Sequence, residues 1–322
     1  MSIPWRIPSA SIHQLLMRGY AIVDKALPHE TALALRDEIV ASAMSPTTIR
    51  YLTPNSTVVV PPADVATTKR LLVRKHNIGE FDLSRADVSA ALPKLAQFAH
   101  DSSLLTLLSQ SRLYRLDSQS VKAQINFGNG GCFPIHTDTA SHLDKRIITA
   151  VCYLNDQYNQ AKDGGQLRLY PFPRPPVVVA PLFNRVVLFS SSQMLHRVLP
   201  STIDRLCFTI WLTGESLGNT SKEAEGFAVN ANEAEDSASR KRLLQPKTRY
   251  LLGKLVYARE WEESIMQSHP DIPERQVLIA AHRRDIELIE NALKEHLPMN
   301  WKEFEGKNWE DYFARFLTVN WF

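Results

Sequence analysis

RVVLFSSSQMLHRVLPSTIDRLCFTIWLT, residues 185–213, reads as three short strands: Arg185 to Phe189, His196 to Leu199 and Leu206 to Thr213, parted by a flexible serine run and by the turn residues Pro200 to Asp204. β-Branched and aromatic residues crowd each stretch, the composition that a pleated, half-buried surface selects. The same rhythm runs upstream through Ala123 to Phe127, Ile147 to Leu154, Gln166 to Tyr170 and Val177 to Leu182. Gly128 to Gly131, Asp163 to Gly165 and Phe183-Asn184 punctuate it. Strands this short and this regularly broken imply a double-sheet sandwich or jelly roll, and no internal repeat competes with that reading.

Outward from this block the pattern becomes helical. Ile12 to Met17, then Tyr20 to Val23, then a segment with Leu35 and Ile39 on one face read as helix, strand and helix, a support layer for the sheet. Residues 46–68, with Pro46, Pro54, Pro61 and Pro62, suggest a long mobile loop or a hairpin with irregular ends. A helix is expected over Leu92 to Leu108. Beyond Gly214, residues 215–240 are polar and acidic, as in a linker. Three helical patterns follow: Lys247 to Gln267, a second opening at Pro273 with Ile279, Ile286, Ile289 and Leu293 on one face, and a last piece with Trp309, Tyr312, Phe313 and Phe316. The expected organisation is a β domain with N-terminal support helices over 1–215, a linker or flexible loop over 216–240, and a C-terminal helical extension over 241–322. That extension would pack on the sandwich, on a partner or on a second copy.

The chain has 322 residues, 44% of them hydrophobic, enough for a real core. No apolar run approaches the roughly 18 residues that span a bilayer, and the N-terminus lacks a signal peptide's apolar stretch. Cys132, Cys152 and Cys207 show no paired spacing. A soluble cytoplasmic or nuclear protein, with no membrane partner, is expected. Its 37 basic and 34 acidic residues nearly balance, which gives no electrostatic reason to expect a nucleic-acid partner. The stretch Lys69 to His76 reads as an exposed strand, and Arg240-Lys241-Arg242 as solvated surface, an import signal or a docking patch.

The chemistry lies among four residues. His136-Thr137-Asp138 is a His-x-Asp pair, and on a strand the period of two puts both side chains on one face. A third ligand is expected from a distant strand, and His196 stands sixty positions on (196 minus 136). Two neutral imidazoles and a carboxylate form a facial triad suited to iron(II), with coordination positions left open for a co-substrate and dioxygen. The bland alternative makes these histidines satisfied core residues and Asp138 a turn residue. Arg205, nine residues after His196, is placed to start the next antiparallel strand, with Cys207, Thr209 and Trp211 on its face. Turned inward, its guanidinium needs an anion: the distal carboxylate of 2-oxoglutarate through a bidentate pair, or a protein carboxylate.

The stretch from Asn126 to Glu215 resembles the catalytic core of the prolyl 4-hydroxylase branch of the iron(II)/2-oxoglutarate oxygenases, especially the hypoxia-factor-type prolyl hydroxylases. The resemblance rests on GNG at 128–130, HTD at 136–138, CYLN at 152–155, GGQLRLYP at 164–171, NRVVLF at 184–189, His196 with Val198 and Pro200, and RLCFTIW at 205–211. It implies a double-stranded β-helix that binds iron(II), uses 2-oxoglutarate and dioxygen as co-substrates, and releases succinate and carbon dioxide, with ascorbate as an auxiliary reductant. It implies further that Tyr153 bonds the distal carboxylate beside Arg205, that Thr209 lines the same pocket and that Trp211 walls the active site. Tyr153 as an ordinary core tyrosine is the alternative. Retention of Asp138 points to hydroxylation, because halogenating relatives carry a small residue there. Where the family often has Tyr-Pro before Gly-Asn-Gly, this chain has Asn126-Phe127, which places Asn126 in the substrate pocket with altered contacts. The segment Pro54 to Arg74 aligns with no family loop. The expected partner is a proline-containing protein or peptide; a free amino acid or other small molecule, and a non-catalytic scaffold on an oxygenase fold, are the competing readings.

Overall fold

The computed structural model describes residues 3–44, 53–59, 71–110, 114–139, 144–216, 238–304, 306–314 and 319–322. Its strands are β1 (Tyr20–Val23), β2 (Thr53–Val59), β3 (Leu71–Asp82), β4 (Tyr114–Asn126), β5 (Phe133–His136), β6 (Arg146–Tyr153), β7 (Leu167–Tyr170), β8 (Val177–Val179), β9 (Val186–Ser190), β10 (Leu195–Val198) and β11 (Arg205–Ser216). They form a seven-stranded sheet in the order β1-β9-β6-β11-β4-β3-β2 and a four-stranded sheet in the order β5-β10-β7-β8. Every strand pairing between them is antiparallel. This is the mainly β, jelly-roll architecture with flanking helices that the strand spacing implied.

Alternation along β11 divides the molecule. Leu206, Phe208, Ile210 and Leu212 enter a cluster with α1 (Ser9–Arg18), α2 (His29–Met44), α4 (Pro93–Ala99) and α5 (Ser103–Ser109), which contribute Leu15, Leu35, Ile39, Leu95, Phe98 and Leu104. Cys207 belongs to a second cluster with Tyr153, Leu167, Leu169 and Phe189, between the sheets. Burying each such large side chain contributes about 1.5–3 kcal/mol, so the period-two pattern is enforced at every position.

The C-terminal helices are α6 (Pro246–Val256), α7 (Ala258–Ser268), α8 (Pro273–Leu293) and α9 (Gly306–Tyr312). Leu252, Leu255, Ile289, Leu293, Trp309 and Phe313 pack into the cluster between the sheets. Arg240 of the basic run is not simply solvated: it donates to the Tyr312 carbonyl at 2.9 Å and its guanidinium stacks 4.2 Å from the Tyr312 ring.

Several boundaries differ from the sequence reading. The single helix expected over Leu92 to Leu108 is broken: α3 (Ala86–Ala91) ends at Leu92, whose non-helical backbone precedes Pro93, and α5 starts afresh where Asp101 Oδ1 accepts from the Ser103 amide at 2.9 Å. The helix expected over Lys247 to Gln267 breaks at Tyr257, whose ring sits 4.7 Å from that of Tyr170. Val177 to Leu182 shortens to β8, while Ala123 to Phe127 is the end of the longer β4. Lys69 to His76 falls largely in β3, and residues 53–59 pair with it as a hairpin. The serine run is not a flexible joint, since Ser190 and Ser191 are buried. Ser190 Oγ donates to the Trp321 carbonyl at 2.6 Å. Residues 46–52 and 60–68 of the proline-rich loop, Lys69 and Arg70 of the expected exposed strand, 217–237 of the expected linker, and Phe316 lie outside the described residues.

Candidate active site

β5 and β10 are neighbours, and His136 pairs with His196 in their register. Both imidazoles therefore leave the same face of the small sheet, with ring centroids 4.3 Å apart. Each Nδ1 lies against a backbone carbonyl, Pro134 O at 2.8 Å for His136 and Met194 O at 3.0 Å for His196. A carbonyl only accepts, so Nδ1 carries the proton and each Nε2 lone pair is left free for a metal.

Asp138 is not on a strand, contrary to the expectation for the His-x-Asp pair. It follows β5 by two residues, and its amide donates to Ser191 O at 3.0 Å. Its Oδ1 lies 3.6 Å from His136 Nε2 and 3.5 Å from His196 Nε2. Its Oδ2 accepts from Thr149 Oγ1 at 2.5 Å and from Trp211 Nε1 at 3.1 Å. One carboxylate oxygen is thus spent on orientation while the other faces the histidines. All three ligand atoms lie within 4.8 Å of one another. Burial, reinforced by His196, lowers the His136 pKa and keeps that ring neutral. Burial opposes charge on Asp138, yet a proton on the flanking imidazoles, when they carry one at Nε2, holds its carboxyl well below the usual carboxylate range. Two imidazoles and one carboxylate, all convergent, fit a divalent iron ion.

Arg205 opens β11 and is 2% exposed. β10 and β11 lie in different sheets, so the turn between them crosses the sandwich rather than joining paired strands. The Arg205 Nη1 donates to Asn126 Oδ1 at 3.2 Å and to Cys207 Sγ at 3.3 Å, and the guanidinium stacks 4.9 Å from the Tyr153 ring. These partners are neutral, and no carboxylate within salt-bridge distance of Arg205 occurs among the described residues. Among the described residues, the buried Arg205 Nε, Tyr153 hydroxyl and Asn126 Nδ2 meet no partner at hydrogen-bond geometry. Burial pushes the Tyr153 hydroxyl up to about 12, so it is a donor. One buried cation beside buried donors that lack partners fits an incoming carboxylate, because each orphaned polar group otherwise costs about 1–3 kcal/mol.

Asn126 is fully buried beside Arg205 rather than open to the substrate mouth, and Gln124 Nε2 also donates to its Oδ1, at 2.6 Å. Thr209, half-buried, pairs with Val151 and Lys122 on the Cys207 and Trp211 face of β11. Trp211 is stacked by Arg146 at 4.6 Å and Lys122 at 5.6 Å.

Sequence reading missed Thr149, Ser191 and the β2–β3 contribution. Thr149 shares its face of β6 with Val151 and Tyr153, a parity the sequence already held; Ser191, which bonds Thr149 at 2.8 Å, gave no signal. From the hairpin, Lys75 donates to Asn55 at 2.5 Å and lies 5.2 Å from the Phe133 ring, which neighbours His136. Burial lowers the Lys75 pKa to about 8.

Residues 122–213 match the family model of the 2OG-Fe(II) oxygenase superfamily. The chain is 32% identical over 118 residues to the hypoxia-inducible factor prolyl hydroxylase of Caenorhabditis elegans, covering 35% of this chain and 16% of that one. It is 33% identical over 119 residues to human prolyl hydroxylase EGLN3, covering 34% and 49% respectively. The chain thus spans half or less of the length of these curated relatives. Its structure is similar to that of a prolyl 4-hydroxylase from Phytophthora capsici, with a TM-score of 0.69 and 29% identity across 96% of this chain and 92% of that one.

Proposed function

We infer, from the 2OG-Fe(II) oxygenase domain of prolyl-hydroxylase type carried by residues 122–213, that the chain is an iron(II)- and 2-oxoglutarate-dependent oxygenase whose substrate is a prolyl residue of a protein or peptide. One observation carries this reading: a His-Asp-His cluster shares the interior between two sheets with a buried arginine whose partners are neutral. The similarity to a prolyl 4-hydroxylase along nearly the whole chain favours proline over other C–H donors.

In this reading His136, Asp138 and His196 hold the iron, while Arg205 and Tyr153 hold the far carboxylate of 2-oxoglutarate, with Asn126 and Thr209 lining that end. Bound together, iron, 2-oxoglutarate and dioxygen supply the oxidant that converts C–H to C–OH, leaving succinate and carbon dioxide; ascorbate as reductant keeps iron ferrous. The protein supplies direction and dryness. Thr149 and Trp211 prevent Asp138 from turning away, and Trp211, stacked between Arg146 and Lys122, walls the site against water. The three free, buried cysteines suit the reducing cytoplasm or nucleus proposed for it.

The test is succinate release that requires both iron and 2-oxoglutarate, together with a one-oxygen mass gain on proline in incubated peptides. His136→Ala and Arg205→Glu are expected to abolish both. Mass gain confined to free amino acids would overturn the peptide substrate; failure of the purified protein to bind iron or 2-oxoglutarate would overturn the enzyme.

A further inference from the structure

The small sheet has a second face. On β5 and β10 the histidines point toward the large sheet, and the residues preceding them, Ile135 and Leu195, point away. Ile135 and Leu195 are buried in one cluster with Tyr170, Trp261, Ile265 and Ile279, the last three supplied by α7 and α8. β5 is the outermost strand of its sheet, and the Ile135 amide donates instead to Ser264 Oγ of α7 at 3.0 Å. Ser264 is fully buried, and its hydroxyl donates onward to Trp261 O at 2.6 Å. The same helix takes the Tyr170 hydroxyl on Glu260 at 2.6 Å, and the residue after it, His269, bonds Thr57 of the β2–β3 hairpin at 2.9 Å.

Metal–ligand distances in a formed site hold to within about 0.2 Å of their usual values, so the ligands have to be well placed. Strands of four residues, one of them at an edge, cannot fix two imidazoles that well by their own ladder bonds. Their backs have to be held, and in this chain the holding surface lies beyond the oxygenase-matching segment.

We propose that α7 is a working part of the metal centre: Ser264, with the Ile265 and Ile279 side chains, positions His136 and His196 from behind, so the C-terminal helices set metal affinity. This rests on the metal site of the oxygenase reading. Ser264 is a positioning residue and touches no ligand.

The test is manganese(II) binding by the full chain, followed by electron paramagnetic resonance of the free ion, beside thermal melting. Ser264→Ala is expected to weaken manganese binding about tenfold, as loss of an outer-shell support does. Ile39→Ala, in α2 behind the large sheet, serves as a control: it lowers the melting temperature at least as much and leaves metal affinity unchanged. Should Ser264→Ala not fold, Ile265→Val removes one methylene from the same cluster, with a smaller but measurable loss of affinity expected. Wild-type affinity in whichever variant folds, or equal weakening by Ile39→Ala, would overturn the proposal. Absence of manganese binding by the unaltered protein would instead overturn the metal site itself.

Discussion

Trp211 Nε1 lies 3.1 Å from Asp138 Oδ2 and donates to it, which makes the indole at once a wall of the site and a brace on the carboxylate facing the histidines. Trp211→Phe keeps the wall and removes the brace. It is expected to weaken manganese binding by about tenfold with little change in melting temperature, as read by metal titration. Thr149→Val, which removes the other donor to the same oxygen, should act in the same direction.

Arg205 holds an unneutralised charge in the interior. Arg205→Met is therefore expected to stabilise the ligand-free protein, by about 1 kcal/mol or more in chemical denaturation, because an uncompensated buried cation is replaced by a side chain that packs. The same variant should lose the thermal stabilisation that 2-oxoglutarate gives the unaltered protein, a gain that follows from binding to the native state alone.

Lys75 gives a pH signature. Its pKa is lowered by burial from 10.5 to about 8, so the folded state releases this proton before the unfolded chain does. The cost of burying the charge is fully present below about pH 8 and fades as pH rises toward 10.5. Lys75→Met is expected to be more stable than the unaltered protein at pH 7, by about 1–3 kcal/mol. The difference should close between pH 8 and pH 10.5 in matched melts. A constant difference across that range would refute the assignment.

Gly19 has φ +76°, and a Cβ there would lie 2.3 Å from Trp321 Cδ2. Arg249, buried and donating to Asn320 O at 2.8 Å, stacks 4.2 Å from the ring of Trp321, itself 2% exposed. Gly19→Ala is expected to cost about 1–2 kcal/mol from the left-handed backbone alone, plus the collision, in urea unfolding. Activity per folded molecule should be unchanged.

What the sequence made legible follows from distance along the chain. His136 and Asp138 are two residues apart, and Arg205 lies one turn beyond His196, so local spacing marks the candidates, although Asp138 leaves the strand and the turn before Arg205 crosses between the sheets. β-Propensity located the strands because β6 and β9 are largely buried on both faces and composed accordingly, while β11 alternates buried and half-buried residues. Thr149 was overlooked although strand parity put it on the face of Tyr153, whereas Ser191 and Ser264 were illegible as site residues: each acts through a loop or helix contact that a linear pattern does not encode. Asn126 was read from its position before the glycine turn, yet only the pairing of β4 with β11 takes it to the guanidinium. The breaks at Leu92 and Tyr257 escaped for different reasons, Pro93 having been in plain view while Tyr257, with φ −98° and ψ 18°, interrupts the helix with no breaker residue in the sequence.

β1 has one hydrogen-bonded neighbour, β9, whose five residues are all buried. An expression fragment trimmed to residues 122–213 would strip that cover and leave Val186 to Ser190 as a bare apolar border, open to pairing with any other copy. Such a fragment would clump rather than titrate. Any effort to shrink this protein into a minimal biocatalyst has to retain the segment that carries Tyr20–Val23.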